Sequence, residues 1–80
     1  MLTLSDAILQ EDMQMVQQAV RYAHEINLLD EYGFTPLIEA AIMDNIEICK
    51  LLLDNRALPN LQDVTGGTAL HWAAENNNIR

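Results

Sequence analysis

Cysteine is almost missing from this chain. Cys49 stands alone, so no disulfide can form within it. A single thiol suits a reducing, cytoplasmic compartment, with the nucleus or a host-cell cytosol equally compatible. Bases are scarce as well: Arg21, Lys50, Arg56 and Arg80 face twelve acids, for a formal charge of −8. Nucleic-acid binding rests on neutralising phosphates, and this balance disfavours it. It disfavours anionic membrane surfaces for the same reason. No apolar run approaches the ~20 residues of a membrane helix. The opening Met1-Leu2-Thr3-Leu4-Ser5-Asp6 lacks the basic-then-apolar order of a secretory signal. Aromatics make up 5%, with three Gly and two Pro, too few turn and ring residues for a β-sandwich.

What is present is apolar and helix-forming. Half of the 80 residues are hydrophobic, which argues for a packed structure over disorder. The length allows one domain with a small core. Two readings of the acids stand side by side: a surface that only solubilises the chain, or one that steers in a partner with a basic or mixed face.

A shift of 33 residues lays the chain on itself. Asn27 falls on Asn60, Asp30 on Asp63, Gly33 on Gly66, Thr35 on Thr68 and Leu37 on Leu70. Ala40 and Ala41 fall on Ala73 and Ala74, and Ile46 on Ile79. Further back the echo is fainter: Leu37 meets Leu4, Ala40 meets Ala7, Ile48 meets Met15 and Leu53 meets Val20. The first unit keeps the apolar pattern without the loop signature, as a terminal cap of a solenoid does.

The segment from Asp30 through Gly33, Thr35, Pro36 and Leu37 to Ala40-Ala41 resembles the start of an ankyrin repeat. Asp63 through Gly66, Thr68, Leu70, His71 and Trp72 to Ala73-Ala74 resembles the next one. Ile46–Leu53 resembles the second helix of that family, and Ala57-Leu58-Pro59-Asn60 its closing segment. The likeness is strong over residues 27–80 and weak over 1–26. It implies an all-α solenoid of stacked antiparallel helix hairpins with projecting loops. Residues 1–29 would be a degenerate capping repeat, 30–62 a complete repeat and 63–80 a truncated one.

Local chemistry agrees. Thr35-Pro36 is a strong helix start, because the hydroxyl accepts an orphan N–H and proline at the first position lacks one. Thr68 and His71 have the spacing of a capping box, a structural role for that histidine. The first unit lacks Gly and Thr-Pro, and its helix is expected to start at Thr3 or Ser5. Leu37, Ala40 and Ala41 share one helical face, and Ile48, Leu51 and Leu52 form the facing one. Asp44-Asn45 connects the two helices, and Asn76-Asn77-Asn78 takes that place one repeat on. Gly33 and Gly66 suit positive φ, with the Asp three residues earlier bonding back to the loop.

Departures from the family pattern are equally informative. Arg56 stands where a helix-ending glycine is usual, at a cost of about 1–2 kcal/mol if the backbone there is left-handed. Ile38 replaces a histidine. Ile79 and Arg80 would open a second helix, so Leu70, Ala73 and Ala74 are expected to lack their cover. The expectation is the N-terminal piece of a longer array, with self-association through that open face as a consequence.

Catalysis finds no convergent set of groups. Cys49 reads as a packed thiol within an apolar helical stretch, and His24 as solvated. Two distant His and one Cys lack zinc spacing. Gly66-Gly67-Thr68 has neither the strand nor the lysine of a phosphate cradle. The chain is therefore expected to be no enzyme and to need no cofactor or metal. The family resemblance implies protein binding through loop tips and the exposed face of the first helices. Carried onto this chain, the loop contacts are Glu31, Tyr32, Phe34, Val64 and Thr65, and the helix-face contacts are Ile42, Met43, Trp72, Glu75 and Asn76. Two other readings stand beside it: a structural self-association element, and a substrate-recruiting segment of a larger enzyme or secreted effector.

Overall fold

The computed structural model describes residues 3–22 and 26–77, with side chains through Glu75. His24, Ile79 and Arg80 lie outside the described residues. Among those described, five helices follow in order: α1 (Leu4–Leu9), α2 (Met13–Tyr22), α3 (Pro36–Ile42), α4 (Ile46–Asp54) and α5 (Ala69–Asn77).

Every helix start has a short polar side chain in front of it. The Thr3 hydroxyl accepts the Asp6 N–H at 3.1 Å while the Asp6 carboxylate accepts the Thr3 N–H at 3.1 Å, a reciprocal box that begins α1. The Asp12 carboxylate accepts from Met15 N at 3.2 Å before α2. The Thr35 hydroxyl accepts from Ile38 N at 3.2 Å, with Pro36 in the first turn of α3. The Asn45 amide oxygen accepts from Ile48 N at 3.0 Å, and the Thr68 hydroxyl from His71 N at 3.3 Å. Each removes one orphan donor from a first turn. Between paired helices the chain turns through left-handed residues, Glu11 at φ 56° and Asp44 at φ 60°, again 33 positions apart. Thr3 lies one residue later in the chain than this frame places the cap, so α1 starts one residue late and is a residue shorter than α3.

α1 packs on α2 and α3 on α4 as hairpins. Across hairpins, α1, α3 and α5 form one row, and α2 and α4 the other. The core lies between the rows: Ile8, Val16, Ile38, Ile48 and Leu52 have their side chains fully buried, with Leu4, Ala7, Leu37, Ala40 and Ala41 beside them. The small alanines let the first-row helices approach closely. Asn27 ties the ends of successive units together: its Nδ2 donates to the Arg56 carbonyl at 3.2 Å and its Oδ1 accepts from Leu58 N at 2.8 Å.

Several sequence expectations meet the structure directly. Gly33 and Gly66 both lie at φ 88°. Arg56 is left-handed at φ 76°, so the strain anticipated for a side chain there is present. Ile38 fills the core in place of the family's histidine. Cys49 is half-buried, and burial, with a smaller effect from Asp44, pushes its thiol above its ordinary value. Leu70 is 74% exposed where its counterpart Leu37 is 3% exposed. Ala74 is exposed too, whereas Ala73 packs in part against the core.

Others need correction. Asn76 and Asn77 extend α5 instead of opening a connection as Asp44-Asn45 does after α3. The earlier stop is explained by Asn45, whose side chain is committed to starting α4. In α2 the fully buried residue is Val16, one position past the Met15 that the 33-residue frame aligns with Ile48.

Candidate functional site

Two loops project ahead of α3 and α5, and each is closed by its own aspartate. Asp30 Oδ1 accepts from the N–H groups of Tyr32 at 2.9 Å and Phe34 at 3.0 Å. The Asp30 N–H reaches the Phe34 carbonyl at 2.7 Å, and Gly33 N the Asp30 carbonyl at 3.0 Å. Thirty-three residues on, Asp63 Oδ1 accepts from Thr65 N at 2.8 Å, the Thr65 hydroxyl at 2.7 Å and Gly67 N at 2.9 Å. The Asp63 N–H reaches the Gly67 carbonyl at 2.8 Å. Both loops are therefore pre-shaped by internal bonds, which lowers the ordering cost of presenting their tips.

The second loop carries one bond more. Asp63 Oδ2 accepts the indole N–H of Trp72 at 2.8 Å, so α5 is fastened to the loop in front of it. The Thr65 hydroxyl, then the Gly67 N–H, the Trp72 indole and the Thr65 N–H hold the Asp63 carboxyl far below the usual carboxylate range, against the opposing effect of burial. In the first loop the residue at the Trp72 position is Glu39. It is buried, and its Oε1 accepts the Ser5 hydroxyl at 3.0 Å. Burial raises its carboxyl above the ordinary value, with lesser contributions from Asp30 and Asp6, while the Ser5 bond opposes.

The loops also stack. Val64 lies over Gly33, where a Cβ would sit 3.0 Å from both Val64 methyls. Phe34 meets Trp72 edge-to-face with ring centroids 6.3 Å apart, and His71 meets Trp72 likewise at 5.5 Å. The His71 ring thus goes to the tryptophan, while its backbone N–H donates the helix-starting bond to the Thr68 hydroxyl. The structure brings Phe34, Val64 and Trp72 into one stacked unit. Glu31, Tyr32, Val64, Thr65 and Glu75 are exposed, with the Thr65 hydroxyl turned to Asp63. Phe34, Ile42, Met43 and Trp72 are half-buried and pack against the core. Asn76 lies within α5, and its side chain is outside the described residues.

Two residues with large roles in this face had no sequence signal. A Cβ at Gly67 would stand 2.8 Å from Trp72 Nε1, so only glycine leaves room for the indole to reach Asp63. Glu39 lies on an otherwise apolar helix face, and only comparison with the Trp72 position marks it.

Among the described residues, no group of three or more His, Cys, Asp or Glu is placed to hold a metal ion. No described helix is long and apolar enough to cross a membrane. What the geometry provides is a ledge of preformed loops beside a row of helices.

Known proteins share this pattern. The chain is 32% identical over 80 residues, 99% of its length, to BTB/POZ domain-containing protein 3 of Schizosaccharomyces pombe. It is 41% identical over 49 residues, 61% of its length, to an ankyrin repeat protein of Acanthamoeba polyphaga mimivirus. It spans only 15% and 6% of those two relatives. The family model for ankyrin repeats in three copies matches residues 4–80. With stacked hairpins, paired left-handed glycines and aspartate-closed loops in the same register, the chain belongs to the ankyrin-repeat family.

Proposed function

We propose that this chain is a non-catalytic protein-binding module that presents its loop tips and the exposed side of the first-row helices to a partner with a basic or mixed surface. Ankyrin repeats are, in general, protein-interaction modules. The observation that carries the reading here is the pair of internally bonded loops stacked through Val64 on Gly33 and Phe34 on Trp72. Internally bonded loops bearing exposed Tyr32 and Val64, with exposed Glu75 beside them on α5, form a surface that binds without reordering. Acids at Glu31 and Glu75 would select a complementary partner and speed its approach. The module would work as part of a longer polypeptide in a reducing compartment, which suits its lone half-buried thiol.

Trp72 and Phe34 hold the loops together, so replacing them tests folding as much as binding. The cleaner test uses the exposed residues. Glu75→Lys, exposed on α5, should weaken partner capture in affinity purification several-fold while leaving the helical circular dichroism unchanged. Undiminished capture by that variant would remove the proposed face.

Self-association is a second reading, favoured by one observation: Leu70 is 74% exposed where its repeat counterpart is buried. Sedimentation over a concentration series distinguishes the two. A concentration-dependent dimer that Leu70→Ser dissolves supports self-association, and a monomer throughout eliminates it.

A further inference from the structure

Four of the large exposed apolar side chains gather in one place. Leu9, Leu28, Leu29 and Tyr32 line a groove between α1 and the segment leading into α3, with a volume of about 450 Å³. That volume is in the range of side-chain and small-ligand pockets, ~300–1,000 Å³. Four acids, Asp6, Asp30, Glu31 and Glu39, stand in the rest of its wall beside Thr3, Leu4, Ser5 and Pro36, and among the described residues no basic side chain lines it.

One oxygen in this wall is out of balance. Asp30 Oδ1 is occupied by the Tyr32 and Phe34 N–H groups, but Asp30 Oδ2 is buried with no hydrogen-bond partner among the described residues. The equivalent oxygen of Asp63 takes the Trp72 indole N–H at 2.8 Å. At the Trp72 position this unit carries Glu39, an acid that is 6% exposed. The groove therefore lacks a donor at the place where the neighbouring repeat supplies one, and concentrates carboxylates there. Buried polar groups without partners are rare and call for an explanation.

We propose that this groove receives a basic, apolar-flanked peptide segment of the partner protein. An arginine or lysine head would meet Asp6 and Glu31 at the groove's accessible edge, with the carboxylates of Asp30 and Glu39 buried behind them, and its aliphatic stem and neighbours would lie on Leu9, Leu28, Leu29 and Tyr32. Long cationic side chains match both walls at once, because the stem is apolar and the head donates. This inference rests on the reading of the chain as a protein-binding module. It adds a contact at the α1 side that the stacked Phe34, Val64 and Trp72 do not share.

The test titrates a decapeptide alternating leucine and arginine into the isotope-labelled 80-residue chain, beside the same peptide with citrulline in place of arginine. The expected result is saturable amide shifts at Leu9, Leu28, Leu29 and Tyr32, with the arginine peptide binding about tenfold or more tightly than its neutral twin. Added salt should narrow that difference. Glu31→Lys and, separately, Leu28→Ser alter exposed positions and should each weaken binding several-fold with circular dichroism unchanged. Equal binding of the two peptides, or no saturation by about 1 mM, overturns the proposal. Shifts confined to Val64, Thr65 and Trp72 also overturn it, while leaving the broader protein-binding role standing. Loss of that role would appear instead as undiminished capture by the Glu75→Lys variant.

Discussion

Trp72 donates its indole N–H to Asp63 at 2.8 Å, across nine residues and a change from loop to helix. The bond converts a loop closed by its own backbone into one anchored to the element that follows. Its loss should therefore be felt in both. Trp72→Phe keeps an aromatic ring on α5 but removes the donor together with the second ring, leaving Asp63 Oδ2 without the indole N–H. The urea midpoint should fall with little change in slope. Asp63→Asn should lower it as well, and the double variant should lose less than the sum of the two. Full additivity in that cycle would show that the pair contributes nothing as a pair.

Much of this fold was legible because it follows from local needs. Gly33 and Gly66 announce themselves since a positive φ excludes most side chains, and Thr35 and Thr68 since a first turn needs an acceptor. The paired alanines mark a close helix approach in the same way. The aspartate-closed loops follow from the spacing of Asp30 and Asp63 to the glycines. The Trp72–Asp63 bond was not legible, because it depends on where a helix axis leaves its loop. Nor was the burial of Glu39 against Ser5, which comes from 34 residues away. Of the candidate binding residues, exposure could be anticipated for the loop-tip side chains. The half-burial of Phe34, Ile42, Met43 and Trp72 depends on how the hairpins stack.

Glu39 and Asp63 should give the stability opposite pH dependences. Glu39 has its folded value raised above 4.5 by burial, with Ser5 and Asp6 on α1 and Asp30 in the loop as the groups facing it. Its contribution is fully present below that value and is lost as pH rises through the folded one. Asp63 is depressed from 3.8, so its contribution is present above that value and is lost as pH falls. Glu39→Gln should therefore gain on the native chain as pH rises from the acid side towards neutrality, and then run parallel to it. Thermal melts over a pH series measure this. A constant difference at every pH would mean that Glu39 does not titrate differently on folding.

The two adjacent glycines of the second loop should fail for different reasons. At Gly66 the space around a Cβ is open, but φ is 88°. Gly66→Ala should cost about 1–2 kcal/mol of backbone strain and leave the environment of the single tryptophan unchanged. At Gly67 a Cβ would meet Trp72 Nε1 at 2.8 Å and His71 Cδ2 at 3.2 Å. Gly67→Ala should push the indole away from Asp63 and change Trp72 emission even where the chain remains folded. Native emission in Gly67→Ala would contradict this packing.

Arg56 offers a gain where the others give losses. It occupies a left-handed position at φ 76° just after α4, where glycine carries no Cβ penalty. Its backbone carbonyl accepts from Asn27, a bond that survives any side-chain change. Glycine brings more freedom to the unfolded chain, which offsets part of the relief. Arg56→Gly should still raise stability by about 0.5–1 kcal/mol, the difference between a 1–2 kcal/mol left-handed penalty and the entropy term. Arg56→Ala serves as the control, since it removes the charge and keeps the Cβ. If the gain came from removing a positive side chain, alanine would match glycine in urea denaturation; if it came from the backbone, alanine would give none of it.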